Sequence, residues 1–413
     1  MPSAGRCDLS TLTGLRVIEL SGQFTSVGGR LLAELGADVV VVEAPEGSPQ
    51  RARPPFAADI AGPDRSLRWW AGNVGKRSVT VDLDSDDGVD ALRRLVADAD
   101  IVIEGAGAEL DRIGVGYEAL HGHLPALIWI AVTPFGLAST RAADPVTDLT
   151  MLAGAGPVWN CGYDDHSIPP IRGGGDQSVN IAGQYAAIGA LVALAHRDRT
   201  GRGQLVDVNV SAACNVTSEQ VTYNWLVIQA VCTRQTGRHA YYVPSAPVQV
   251  RCADGAYATT GVLPREPSEF AELHRWLDEL GLLDELPEAV FLEMAAQRAS
   301  AVDLAVIGAD DETTAILSAA REAISLIATN LPAMEFFLQS QRRGFPAGAV
   351  LSPDEAFDDP HFGERGFRVP VEHPELDATY EYPGLPYIFS GAEAGHPRRP
   401  PLLGEHNDLL REA

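Results

Sequence analysis

Along the first two hundred residues, runs of β-branched side chains alternate with stretches in which apolar positions recur every three or four residues. Leu15-Arg16-Val17-Ile18-Glu19-Leu20 predicts a strand, Gly28 to Leu35 a short helix closed by Gly36, and Val39-Val40-Val41-Val42-Glu43 a buried strand. A second unit follows in Val79 to Leu83, a helix N-capped by Ser85 with Val89, Leu92, Leu95 and Val96 on one face, and Ile101-Val102-Ile103. Leu127 to Val132 supplies a further strand. Unalternating strands joined by helices predict a parallel sheet covered on both faces. Ligands of such sheets collect outside the carboxyl ends of the strands, so the loops after Leu20, Glu43, Glu104 and Val132 are the places to look.

Residues 181–197 carry the strongest helical pattern and are apolar on most sides, which predicts a helix buried between elements or at an interface. The turn Gly201-Arg202-Gly203-Gln204 then leads into a strand over Leu205 to Val210. From about Ser245 the texture changes to short strand-like pieces followed by acidic helical segments as far as Leu338, which predicts a smaller α+β domain. After Gly348 the chain is Pro-rich through Pro397, Pro400 and Pro401, a texture that wraps other elements.

A length of 413 residues predicts two or three domains. The formal charge of -25 opposes binding to nucleic acid or to an anionic membrane surface, so a polyanionic ligand would need a local basic patch. Cys7, Cys161, Cys214, Cys232 and Cys252 are scattered, odd in number and without CxxC spacing, which predicts free thiols in a reducing compartment and no structural zinc. The amino end lacks the apolar core of a signal peptide, and the apolar stretch Ala186 to Ala195 is roughly half the length of a membrane span. A cytoplasmic protein is expected.

GxSxG, Walker and HExxH motifs are absent, and Ser21-Gly22-Gln23-Phe24-Thr25-Ser26 lacks the GxGxxG turn of a dinucleotide site, although Glu43 stands where a ribose-binding acid could. His121-Gly122-His123 and Asp164-Asp165-His166 read as incidental loop residues, and no metal is expected. Two segments remain. Lys76, the only lysine, lies beside Arg77 in a short loop ahead of a strand, and is either a phosphate clamp or an ordinary surface lysine. Asp176 follows Gly173-Gly174-Gly175 just before the long helix, and is either a nucleophile or electrostatic partner, or a capping residue.

Taken together, Leu12 to Leu20 with Leu35 to Val39, Asn73 to Ser78 with Asp82-Leu83, Thr133-Pro134-Phe135-Gly136, Arg199 to Gln204, and Pro401 to His406 resemble one family over nearly the whole chain. It is the family III CoA transferases, the group of formyl-CoA transferase and carnitine-CoA transferase, with 2-methylacyl-CoA racemase as a relative. The resemblance implies a Rossmann-like large α/β domain built from both chain ends (1–225 and 340–413), a small α+β domain (245–328) inserted through linkers 226–244 and 329–339, and an interlocked dimer. It implies coenzyme A or acyl-CoA as substrate, a carboxylic acid as second substrate, and CoA contacts from Arg51, Asn73, Lys76, Arg77 and Arg112.

Members of the family pass the acyl group through an acyl-aspartyl anhydride, which exchanges readily with another carboxylate when water is kept out. The aspartate normally lies four residues before the helix glycine, here Gly183, and that position is Val179. Asp176 is the nearest substitute and becomes the candidate catalytic residue. Gly105-Ala106-Gly107-Ala108 also replaces the usual Asn-Phe-Arg-Pro-Gly-like loop, and Phe24 replaces a polar CoA-side residue. Besides acyl-CoA:carboxylate CoA transfer, the resemblance leaves open racemase-like proton chemistry on an acyl-CoA, or a non-catalytic subunit paired with a related chain that carries the aspartate.

Overall fold

The computed structural model describes residues 7–105, 107–142, 144–245, 247–261, 263–303, 309–393 and 398–412. The first six residues, Ala106 and Pro397, on which the sequence reading touched, lie outside the described residues. The chain divides into a large unit (residues 1–161, 169–230 and 360–413) and a small one (162–168 and 231–359).

In the large unit the elements run β1 (Cys7–Ser10), β2 (Arg16–Leu20), α1 (Ser26–Glu34), β3 (Asp38–Glu43), α2 (Leu67–Asn73), β4 (Arg77–Thr80), α3 (Asp86–Ala97) and β5 (Ile101–Glu104). They continue as α4 (Ala108–Arg112), α5 (Tyr117–Leu120), β6 (Ile128–Thr133), α6 (Asp148–Ala155), α7 (Gln177–Thr200), β7 (Leu205–Asn209), α8 (Val210–Val216) and α9 (Glu219–Ile228). Six strands form one sheet in the order β4-β3-β2-β5-β6-β7, every pair parallel. Every residue of β6 and nearly every residue of β3 is buried, as expected for strands covered on both faces. The order reverses between β2 and β5, and that crevice is where such sheets hold ligands. β4 pairs with β3 from Arg77, two residues ahead of the predicted strand, and ends at Thr80, where the chain leaves the sheet and lines a cleft.

Helix α3 is capped by Ser85 Oγ, which accepts from Gly88 N, and it buries Leu92, Leu95 and Val96. Helix α7 is 24 residues long and ends at Gly201 in the left-handed conformation. By length and composition it is the one helix among the described residues that could cross a membrane, yet its inner face (Ala182, Ala186, Ala190 and Ala193) is packed into the large unit's core. Helices α1 and α7 cross through small residues. A Cβ on Gly183 would lie 2.4 Å from Val27 Cβ, so only glycine permits this approach.

The small unit holds the hairpin β8 (Thr233–Gln235) and β9 (Arg238–Tyr241), the strands β10 (Gln249–Arg251) and β11 (Tyr257–Thr259), helices α10 (Pro267–Glu279), α11 (Val290–Ala296), α12 (Asp311–Asn330) and α13 (Ala333–Arg342), and β12 (Gly348–Val350). β10, β11 and β12 form an antiparallel sheet, so residues 340–359 belong to the small unit and the chain re-enters the large one near Pro360 rather than near 340. Trp276 anchors its core, stacked between Phe336 and Phe345 at 5.7 and 6.1 Å. Back in the large unit, β13 (Arg368–His373) and β14 (Ala378–Pro383) form a hairpin. Residues 402–408 then bind the free edge of β4: Gly404 N donates to Ser78 Oγ, His406 N to Ser78 O, and Thr80 N to Asn407 Oδ1.

Candidate active site

Lys76 lies in the core, under the start of α1. Its ammonium donates to Glu19 Oε2 at 2.6 Å, Ser26 O at 2.8 Å and Asn73 Oδ1 at 2.9 Å, and neither side chain of the Glu19–Lys76 pair is exposed. All three of its protons are therefore engaged. Burial pushes the Lys76 amine down and the Glu19 carboxyl up, and their mutual attraction opposes both shifts. Asn73, also buried, donates to Trp69 O.

Arg51 is saturated in the same way. Its Nε and Nη2 grip both oxygens of Glu43 at 2.6 and 2.8 Å, Nη1 donates to Asp64 Oδ1 and Pro63 O, and Nη2 also donates to Pro401 O. The guanidinium lies 3.7 Å above the Trp69 ring. Glu43 further accepts from Ser48 N and Ser78 Oγ, which makes it an organiser of the β3–β4 loops and leaves it no role as a ribose acid. Arg77 pairs with Asp38 where β3 begins, away from the carboxyl ends of the strands. At Lys76, Asn73 and Arg51, where phosphate contacts are expected, the side-chain donors have protein acceptors, and opening a buried ion pair costs about 3–5 kcal/mol.

Arg112 alone of the five expected CoA contacts lines the cleft at the carboxyl ends of the strands. This cleft has a volume of about 1210 Å³ and is formed by the loops after β2, β3, β4 and β5, with one face of α3. Three of the four loops singled out by the sequence meet there; the one after Val132 does not. Seven carboxylates line it (Glu43, Glu46, Asp82, Asp84, Asp86, Asp90 and Glu109) against two guanidiniums, Arg93 and Arg112. Sequence reading missed Arg93. Asp86, Val89, Asp90 and Arg93 fall at i, i+3, i+4 and i+7 and so share one face of α3, a signal present beside the apolar face that was read.

The second feature is the entrance to α7. Asp148, at the start of α6, accepts from Ser178 N and Ser178 Oγ, both at 2.8 Å, and from Arg172 Nη1 at 2.8 Å. Arg172 also donates to Gly173 O and Gly175 O, so one buried carboxylate ties down the glycine loop and the first turn of α7. Gly175 has φ +80°, which favours glycine, whereas a Cβ on Gly173 would meet only the exposed end of the Gln177 side chain. Asp176 is the N-cap residue of α7 but its side chain makes no cap hydrogen bond. Its carboxylate instead pairs with Arg68, which also donates to Pro54 O, and 34% of the side chain is exposed.

Val179 is half-buried against the core cluster that includes Phe24 and Met151. The Gly183 crossing fixes the register of α7, so Asp176 cannot take the place of residue 179 by sliding along the helix. Three residues of helix amount to about 4.5 Å of rise and a rotation of about 300°. Cys214, buried near Asp148, has its thiol pushed up to about 11 by burial and then by that carboxylate, so it is no nucleophile at neutral pH.

Other candidates have local roles. Asp164 pairs with Arg238, and His166 Nε2 lies 3.2 Å from Arg234 O. His121 stacks on Tyr117. Among the described residues no three His, Cys, Asp or Glu side chains gather as a metal set.

The sequence pattern of CoA-transferase family III matches residues 12–407. The succinyl-CoA:(R)-benzylsuccinate CoA-transferase subunit BbsE of Thauera aromatica is 30% identical over 392 residues, 95% of this chain and 91% of that protein. The succinyl-CoA:mesaconate CoA-transferase of Haloarcula marismortui is 29% identical over 98% of this chain and 97% of that protein. A CaiB/BaiF family protein from Brucella suis superposes with a TM-score of 0.78 at 26% identity, covering 98% of this chain and 99% of that one.

Proposed function

The chain belongs to CoA-transferase family III, and we propose that it exchanges CoA between an acyl-CoA and a free carboxylic acid, with Asp176 as the acyl acceptor. The observation that carries this reading is the presentation of Asp176, a partly exposed carboxylate at the mouth of α7 that is not used as a cap. Its oxygen would attack the thioester carbonyl carbon; the C–S bond breaks and CoA leaves as thiolate. The incoming carboxylate attacks the aspartyl carbonyl carbon and displaces the first acid; the thiolate then attacks the new acyl carbon, whose bond to the Asp176 oxygen breaks to return the free carboxylate. One thioester and one carboxylate enter and one of each leaves, without water. Between cycles Asp176 is paired with Arg68, and the acyl donor has to part the two side chains.

Trapping tests the assignment. Hydroxylamine added after acyl-CoA is expected to leave a hydroxamate on Asp176, detected by peptide mass spectrometry. Full turnover by Asp176→Asn would overturn it.

A second reading is favoured by Val179. With α7 locked at Gly183, the position from which the family's aspartate acts holds no carboxylate, and one relative is itself named as a subunit. The chain would then pair with a related one that supplies the aspartate. Either reading calls for the interlocked dimer, in which the outward face of α7, with Ile188 55% and Val192 63% exposed, would be covered. Turnover by the purified homodimer would dispose of the second reading.

A further inference from the structure

The geometry points to Arg93 as a phosphate-binding residue that, with Arg112, holds the anionic end of the CoA substrate; this rests on the CoA-transferase reading above. A phosphate-bearing ligand in the 1210 Å³ cleft meets six exposed carboxylates, Glu43 being sealed in its pair with Arg51, so its affinity depends on the cations within reach. Lys76 and Arg51, which the sequence singles out, have every N–H engaged with protein acceptors. Arg77 faces Asp38 instead. Arg93 and Arg112 are the two cations that line the cleft.

Both are held in readiness. Arg93 pairs with Asp90 one turn before it on α3, and Arg112 with Glu109 one turn before it on α4; the side chains are 46% and 69% exposed. Exposed pairs of this kind contribute at most about 1 kcal/mol, so a phosphate can take over either guanidinium at little cost. Gly114 brings them to one wall: a Cβ on it would lie 3.8 Å from Arg93 Nη2, and Gly114 follows Arg112 by two residues. Two planar forks on one wall suit a diphosphate or a phosphate monoester, both of which CoA carries, and the remaining carboxylates reject anions that lack the bidentate match.

Equilibrium binding by calorimetry of CoA, dephospho-CoA and pantetheine to the full-length protein tests this. Arg93→Ala is expected to weaken CoA roughly ten-fold, as for loss of one charge-assisted pair, and to leave pantetheine unchanged. Arg93→Lys should recover part of the loss. Arg94→Ala removes the same charge from the same helix outside the cleft and should bind CoA like the wild type. A loss that persists with dephospho-CoA assigns Arg93 to the diphosphate, and a loss confined to CoA assigns it to the 3′-phosphate. Unchanged CoA affinity in Arg93→Ala, or an equal loss in Arg94→Ala or with pantetheine, overturns the assignment while leaving the transferase reading intact. A wild-type protein that binds none of the three overturns both.

Discussion

A methyl group on Gly29 would lie 1.8 Å from Oε2 of Glu19, so this turn of α1 is glycine because a buried carboxylate occupies the space beside it. The carboxylate is there for Lys76, and the three residues form one unit. Gly29→Ala is expected to force the pair apart and to lower the urea midpoint by an amount equivalent to about 3 kcal/mol.

The pair itself separates a structural lysine from a ligand-binding one. Lys76→Met alone strands the Glu19 carboxyl and should cost about 3–5 kcal/mol, whereas Glu19→Leu combined with Lys76→Met should recover most of that loss. CoA affinity in the double variant close to the wild-type value would show that the ammonium serves the fold; a large loss of affinity in a stable double variant would restore it to the binding site.

Val179 offers a direct test of where the family's carboxylate acts. Val179→Asp places an aspartate four residues before Gly183 on the fixed helix, at a half-buried position where about 1–3 kcal/mol of stability should be lost. If a partner chain normally supplies the group, the homodimer of this variant gains turnover and a trappable acyl adduct at residue 179. If Asp176 is the acceptor, adduct formation stays at 176 and disappears with Asp176→Asn.

Removing the Asp148 carboxylate should loosen the mouth of α7. Asp148→Asn leaves Ser178 and Arg172 with a weaker partner, and stability should fall by about 1–3 kcal/mol. The Cys214 thiol should also titrate below about 11, although burial remains its larger cause. Thiol-reagent kinetics against pH measure this; an unmoved titration would detach Cys214 from Asp148.

His373 predicts an acid-side loss of stability. Burial against Trp70, at a ring separation of 4.2 Å, holds its pKa below 6.5, with Glu375 opposing the shift. The unfolded chain therefore binds the proton more readily, so this contribution is full above about pH 6.5 and is lost as the pH falls through the lower folded value. Urea midpoints taken between pH 7.5 and 5 should decline in the wild type and decline less in His373→Phe.

The parallel sheet was legible because β-branched runs such as Val39 to Val42 and Ile101 to Ile103 need burial on both faces, and nothing else in the chain competes for them. The glycine run before α7 was legible as a turn into the helix, but it brings no close approach: a Cβ on Gly174 or Gly175 would meet nothing within 4 Å. The pairing of Lys76 with Glu19 was not legible. Its partner Glu19 is 57 residues earlier in a strand, and spacing along a chain does not report which carboxylate a fold turns toward an ammonium. Arg93 was hidden for the opposite reason: the stripe it belongs to is polar, and a helix read for its apolar face does not advertise the other one.

The contact between residues 402–408 and β4 bears on how the protein is made. Ser78 and Gly404 are 326 positions apart, so on a ribosome the edge of the sheet stays without its cover until that many further residues have been added. At roughly 5–20 residues per second, the delay is on the order of tens of seconds. Throughout that interval an exposed strand edge is available to other chains, which makes the nascent polypeptide, more than the finished one, a client for chaperones.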